Sequence, residues 1–247
     1  LVVRAAIDAG STWEVQAGID VAGPGEDETS LYVVWGGKIV DGPYTWQGID
    51  ARGPVIKAME PWRALIKRIK VDAIGQGFYF AQHLMDSTGG NYGNKVVMVN
   101  VGIPPRDREK FVNLKAELYW GLRMRVRAGD LAGLSDERTI GQLAGILYKE
   151  NERGQVLIEP KEQAAKRGVP SPDRAESLML ALSDRGATDI DEIYWVVTCE
   201  CGQKGMVPPW SRDSRCNSCG RLLIAPKLPD DEQPGDNPWL VLAKGIN

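Results

Sequence analysis

Gly168-Val-Pro-Ser-Pro-Asp-Arg-Ala-Glu-Ser-Leu-Met-Leu-Ala-Leu182 is where a helix start and two acids coincide. Ser171 followed by Pro172 is a helix-opening pair: a hydroxyl cap, then a proline whose missing N–H costs nothing at the first helical position. Asp173 falls in the first turn, where the helix dipole favours a carboxylate. Ala175, Leu178, Met179 and Leu182 recur at helical spacing and predict the buried face. Asp173, Glu176 and Ser177 are predicted on the opposite face. By itself this is an acidic first turn on an amphipathic helix. Two further aspartates upstream, Asp20 and Asp72, each in a glycine-rich setting, give it a second meaning.

The chain around this stretch has 247 residues, 43% of them hydrophobic and 26% charged. That is enough to bury a sizeable core, as one large domain or a domain with an appendage. No apolar run reaches the roughly 18 residues a membrane span needs. The first residue is Leu1, without a signal-peptide pattern, and we expect a fragment of a longer protein. A net charge of −3 and a pI of about 5.4 argue against a protein that coats nucleic acid non-specifically. They leave room for a local basic patch around an acidic site.

Outward from the quoted stretch, the pattern predicts a three-strand meander over Val15–Trp46, with Gly36-Gly37 as a hairpin turn. Trp62, Leu65, Ile66 and Ile69 have helical spacing behind Pro61, and Lys70–Ile74 reads as a short strand with an ambiguous boundary between the two. Phe78–Met85 suits a helix and Lys95–Asn100 a strand. Phe111 to Leu122 marks a long helix ending near Gly129. Ile140 to Leu147 marks another, with Ser135 as its cap. Gln155–Glu159 reads as a strand and Glu162–Lys166 as a short helix. A meander followed by strands alternating with helices is an α/β mixed sheet with helices on its faces. The expected divisions are a linker over 1–14, a main domain over 15–190, a small module over 191–228 and a tail over 229–247.

Carboxylates gathered from two strand ends and a helix repel one another unless a proton or cation intervenes. Their natural use is to hold two divalent ions about 4 Å apart, which activate water and stabilise the leaving oxygen of a phosphodiester. Oxygen ligands with open positions suit Mg²⁺ or Mn²⁺. Read singly, Asp20 is also a good turn residue and Asp72 a good strand-end cap.

The segment Asp20 to Thr29, the run Asp72-Ala-Ile-Gly-Gln-Gly77, and Val156-Leu-Ile-Glu-Pro-Lys161 leading into Ser171-Pro-Asp-Arg-Ala-Glu176 together resemble the C-terminal nuclease domain of phage large terminase subunits, a ribonuclease H-like (RuvC-like) fold. Asn113-Leu-Lys-Ala-Glu-Leu-Tyr-Trp120 resembles the helix before that family's last strand. The resemblance covers about Val15 to Leu182. It implies a ribonuclease H-like mixed sheet flanked by helices and a Mg²⁺- or Mn²⁺-dependent DNA endonuclease that cuts concatemeric viral genomes during packaging. Asp20, Asp72 and Asp173 would be the catalytic, metal-holding acids, with Glu176 or Asp27 as an auxiliary. It also implies double-stranded DNA, a portal protein and a small terminase subunit as partners, no membrane, and the host cytoplasm as location. Lys161, Lys166, Arg123 and Arg127 are candidate DNA contacts. The basic residues of the long helix, Lys115 among them, also read as a solvated surface. His83, the single histidine, reads as structural.

All four cysteines fall between Cys199 and Cys219. Cys199-Glu-Cys201-Gly and Cys216-Asn-Ser-Cys219-Gly are short knuckles, each followed by glycine, and predict a structural Zn²⁺ ribbon with no open ligand position. The first knuckle is one residue shorter than the usual Cys-x-x-Cys. Flanking strands Ile193–Val197 and Arg221–Ala225 are expected to join, and Lys204, Trp210, Arg212, Arg215 and Arg221 form a basic surface compatible with DNA. Two other readings compete. Ala6-Ile-Asp8-Ala-Gly10-Ser-Thr12 resembles the first phosphate loop of actin-like ATPases and sugar kinases. A non-catalytic DNA-binding or assembly module is the other.

Overall fold

The structure, a computed structural model, describes residues 13–183 (apart from 24, 26 and 87), 195–207, 215, 216 and 218–223. The backbone divides into two units with the border between 184 and 185. Ala6–Thr12, Trp210, Arg212 and the tail lie outside the described residues.

In the first unit, β1 (Val15–Asp20), β2 (Glu28–Trp35) and β3 (Lys38–Gln47) form the expected antiparallel meander. β4 (Ile66–Asp72) then pairs parallel to β1, and β5 (Val96–Val99) parallel to β4. The sheet order is β3-β2-β1-β4-β5. With helices packed on it, this is the expected ribonuclease H-like mixed sheet. β1 and β4 lie at its centre, and Ala17, Ile19, Ile69 and Val71 are fully buried.

Two elements differ from the pattern reading. The helical spacing of Trp62, Leu65, Ile66 and Ile69 does not form a helix: a short 3-10 turn, Glu60–Trp62, leads directly into β4. The pairing of β4 with β1 is irregular at its start, where Val15 faces Ile66 but Gln16 faces Arg68, so the buried Ile66 and Ile69 stand three residues apart and mimic helical spacing. The helix lies earlier, at α1 (Arg52–Met59), where Gly53-Pro54 disguises a first turn that tolerates proline and Val55 and Met59 are buried one turn apart.

The remaining helices are α2 (Gln76–Met85), α3 (Leu114–Ala128), α4 (Glu137–Gly145), α5 (Lys161–Lys166) and α6 (Asp173–Leu182). Asp136, not Ser135, caps α4: its carboxylate accepts from the Thr139 N–H at 2.8 Å. The expected strand near 155–159 is present as β7 (Val156–Ile158), but it pairs with β6 (Tyr148–Glu150) in a separate hairpin outside the main sheet.

α6 lies across β1 and β2 and also meets α3 and α4. It is not amphipathic in place. Asp173, Glu176 and Ser177, expected on a solvent face, are buried along with the apolar residues. Burial of each large apolar side chain stabilises by roughly 1.5–3 kcal/mol, so the helix is firmly seated. Ser171 does not cap it. Gln142 of α4 does that work from outside, accepting from the Ala175 N–H at 3.0 Å and donating to Ser171 O at 3.2 Å. At the other end, Lys70 of β4 is fully buried and aims its ammonium at the Ala181 and Ser183 carbonyls. A cation at the last carbonyls of a helix satisfies orphan acceptors and complements the dipole.

In the second unit, β8 (Trp195–Thr198) pairs antiparallel with β9 (Lys204–Val207). The expected partnership of β8 with the Arg221 segment is not seen among the described residues. Leu222 instead bridges to Arg215.

Candidate metal centre

β1 ends at Asp20 and β4 at Asp72, on adjacent parallel strands whose register pairs Ile19 with Val71. Both carboxylates therefore leave the sheet at the same edge. The Asp72 position is fixed by the turn behind it. Its Oδ1 accepts from the Ile74 N–H at 3.1 Å, and a Cβ on Gly77 would lie 1.7 Å from the Asp72 carbonyl oxygen. Only glycine fits there, which gives the Gly-x-Gly of the sequence a physical reason.

α6 brings the third acid. Its backbone rests on Gly18 at Ser177 and Ala181, which sets Glu176 above the strand ends. Carboxyl oxygens of Asp20, Asp72 and Glu176 all lie within 4.8 Å of one another. Asp20 and Glu176 are only 8% and 3% exposed.

Asp173 stands one turn earlier and outside that cluster. Its Oδ2 accepts from the Glu28 N–H at 3.0 Å, and its Oδ1 from the Ser171 hydroxyl. Glu28 also holds the next residue, accepting from Arg174 Nε at 2.7 Å, while Arg174 Nη1 reaches Asp136 at 3.1 Å. The start of α6 is thus tied to β2 and to α4. Asp27 is exposed, and its charge helps to raise the Asp173 carboxyl after burial itself.

Two lysines neutralise the cluster. Lys115 of α3 meets Glu176 Oε1 at 2.6 Å, and Lys161 of α5 meets Glu176 Oε2 at 3.3 Å. Lys115 is a contact the sequence reading placed on a solvated helix. Its only signal was its place in the Asn113–Trp120 segment. Of the other candidate DNA contacts, Lys166 and Arg127 are exposed. Arg123 sits 4.7 Å from the Trp120 ring and 5.1 Å from the Tyr148 ring.

The electrostatics are those of crowded anions. Burial, then Glu176, pushes the Asp20 carboxyl well above its ordinary range, and Lys161 opposes it. Burial raises Asp72 to about 6, with Glu176 adding and the Ile74 N–H and both lysines opposing. Although burial works against it, the Lys161 ammonium is held above its usual range by Glu176, Asp20 and Asp173. Oxygen-only donors, mutually repelling and part-neutralised by flexible lysines, fit a hard divalent cation.

A carboxyl raised in the folded state binds more protons there than in the unfolded chain. Its contribution to stability is present below the unfolded value and lost as pH rises through the folded one. In EDTA, the Tm of the wild-type protein is therefore expected to fall from about pH 4 to about pH 6.5 more steeply than that of Asp72→Asn. Equal slopes in the two proteins would contradict the assignment of that burden to Asp72.

The chain resembles solved structures. The nuclease domain of the large terminase subunit of bacterial virus Sf6 superposes with a TM-score of 0.56 at 18% identity, over 74% of this chain and 94% of that one. A lysine-to-alanine variant of the same domain, with manganese and β-thujaplicinol, gives 0.56 at 17%, over 70% and 89%. The large terminase nuclease of a thermophilic phage, with bound magnesium, gives 0.50 at 17%, over 70% and 82%.

This is the fold of a phage large-terminase nuclease domain.

No protein-family model and no curated protein matches the sequence. In the terminase nuclease fold of this chain, the acid cluster occupies the C-terminal ends of neighbouring parallel strands, where open α/β sheets place their ligands.

The second unit carries its own cluster. The Sγ atoms of Cys199, Cys201, Cys216 and Cys219 lie within 4.8 Å of one another, with Cys199–Cys219 at 3.5 Å and Cys201–Cys216 at 3.6 Å. All four are free thiols. A tetrahedral Zn–S₄ site with Zn–S near 2.3 Å has edges of about 3.8 Å, close to these separations. Each knuckle closes on itself: the Gly202 N–H returns to Cys199 O and the Gly220 N–H to Cys216 O, both at 2.8 Å. The Cys219 N–H does most to lower the Cys216 thiol, to about 6. Arg221 and Arg215 are engaged locally, with Glu200 and with Gly220 O.

Proposed function

We propose that this chain is a divalent-cation-dependent endonuclease acting on double-stranded DNA, the nuclease half of a terminase large subunit that cuts concatemeric viral DNA during packaging. The observation that carries it is the gathering of Asp20, Asp72 and Glu176 at one edge of a ribonuclease H-like sheet. The manganese, calcium, magnesium and cobalt held by similar terminase nuclease domains support Mg²⁺ or Mn²⁺ as the ion.

When bound, the ions would lower the pKa of an attacking water and stabilise the leaving oxygen. Asp20, Asp72 and Glu176 hold the charge that attracts them. Asp173, anchored by the Glu28 N–H, is a further carboxylate whose charge acts on Asp20. The Glu28–Arg174–Asp136 chain keeps the first turn of α6 in register. Lys161, whose side chain is 48% exposed, is placed to meet a scissile phosphate when an ion takes over its share of Glu176. Lys166, Arg123 and Arg127 are the outlying phosphate contacts in this reading. A portal protein and a small terminase subunit are the expected partners, and the host cytoplasm the expected site of action. No described helix is long and apolar enough to cross a membrane.

The deciding experiment incubates supercoiled plasmid with the protein and Mn²⁺ or Mg²⁺, against an EDTA control. Cation-dependent nicking and linearisation are expected. An inert plasmid with protein shown to be folded rejects the endonuclease reading.

The four thiolates are proposed to hold one structural Zn²⁺. Elemental analysis of the purified chain is expected to give about one zinc per molecule, lost in Cys216→Ser. Full zinc retention in that variant would remove Cys216 from the ligand set.

A further inference from the structure

Tyr119 is used by nothing described so far. It lies on α3 one turn after Lys115, so the two side chains share a face. Lys115 Nζ, which meets Glu176, stands 6.0 Å from the centre of the Tyr119 ring. The residue is 6% exposed, yet its hydroxyl oxygen is wholly enclosed and has no hydrogen-bond partner among the described residues. A buried hydroxyl without a partner costs about 1–3 kcal/mol. Such a group calls for a physical explanation, and a water or an ion that enters the site is one of the few available.

The surroundings say which kind of partner. Tyr119 lines a cavity of about 360 Å³ together with Lys115, Lys161 and Ser171, the residues that hold Glu176 and Asp173. After burial itself, Glu176, Asp20, Asp173 and Asp72 in turn push its ionisation far above the ordinary range, so the phenol stays neutral and keeps an oxygen able to accept. Once a divalent ion holds the carboxylates ionised, they have no proton to give that oxygen. Mg²⁺-type ions keep several of their waters when bound by a few carboxylates, and those polarised waters are strong donors.

We propose that Tyr119 is a positioning residue of the divalent-ion site: its phenolic oxygen accepts a hydrogen bond from a water bound to the ion held by Asp20, Asp72 and Glu176. This rests on the metal-site reading above. It adds a neutral, oriented acceptor to a shell otherwise made of charges, and it selects a hydrated ion over one stripped of water. Outer partners of metal ligands typically change affinity or activity by about 10–100-fold when removed.

The test is Tyr119→Phe, which keeps the ring and deletes the hydroxyl. Tyr92→Phe is the control, since the Tyr92 hydroxyl is equally buried and unpartnered but packs beside Arg63. In EDTA both variants are expected to melt at or above the wild-type temperature, because each loses an unsatisfied polar atom. With Mn²⁺ alone and no DNA, calorimetry is expected to show binding weakened about tenfold or more in Tyr119→Phe and unchanged in Tyr92→Phe. Equal Mn²⁺ affinity in Tyr119→Phe and wild type overturns the Tyr119 proposal and leaves the acid cluster standing. A Tm several degrees lower for Tyr119→Phe in EDTA also overturns it, since the hydroxyl then has a protein partner. Absence of Mn²⁺ binding by the wild type overturns both.

Discussion

Glu176→Gln is expected to abolish Mn²⁺ binding and to cut plasmid cleavage by about 10³-fold or more, the equivalent of roughly 4 kcal/mol of transition-state stabilisation. Glu176 is the acid on which the cluster turns. Its two oxygens meet two lysines and lie with Asp20 and Asp72, and it raises both of those carboxyls. Gln keeps the shape and one acceptor but removes the charge a divalent ion needs. The metal-free fold should change little, because the substitution relieves repulsion and loses two ion pairs together. Asp173→Asn is the informative comparison. Its carboxyl already accepts from the Glu28 N–H and the Ser171 hydroxyl, and the amide can keep one of these. Cleavage within about tenfold of wild type is expected. Should Asp173→Asn be as inactive and as metal-blind as Glu176→Gln, Asp173 belongs among the primary ligands.

Gly18→Ala is expected to destabilise the first unit by about 4 kcal/mol, or to prevent folding altogether. The added Cβ would lie 2.1 Å from the Ser177 carbonyl oxygen and 2.3 Å from the Ala181 nitrogen. These are backbone atoms of a fully seated helix, with no side chain to swing away. α6 would have to rise off β1, carrying Glu176 away from Asp20 and Asp72 and loosening the reach of Lys70 to the helix end. Urea denaturation monitored by circular dichroism measures the loss. A variant of wild-type stability would mean that the close approach of α6 to β1 is not required.

The sequence by itself determined the alternation of elements, because hydrophobic period and turn chemistry are local. The meander, α2, α3 and the two cysteine knuckles are legible from neighbours a few residues apart. So are Asp20 and Asp72, each at the end of an apolar run and each followed by glycines. Residues 62–69 have the spacing of a helix, but 66–69 open a central strand whose irregular pairing with β1 sets Ile66 and Ile69 three apart. Only the tertiary structure decided which acid of the Ser-Pro-Asp-Arg-Ala-Glu segment joins the cluster. Asp173 and Glu176 are three residues apart on one turn and equivalent by type. The seating of α6 on Gly18 turns one toward the strand ends and the other toward the Glu28 N–H. The same contact buried a face that periodicity assigned to solvent. It made partners of Lys115 and Lys161 for Glu176, through distances between segments that no local pattern encodes.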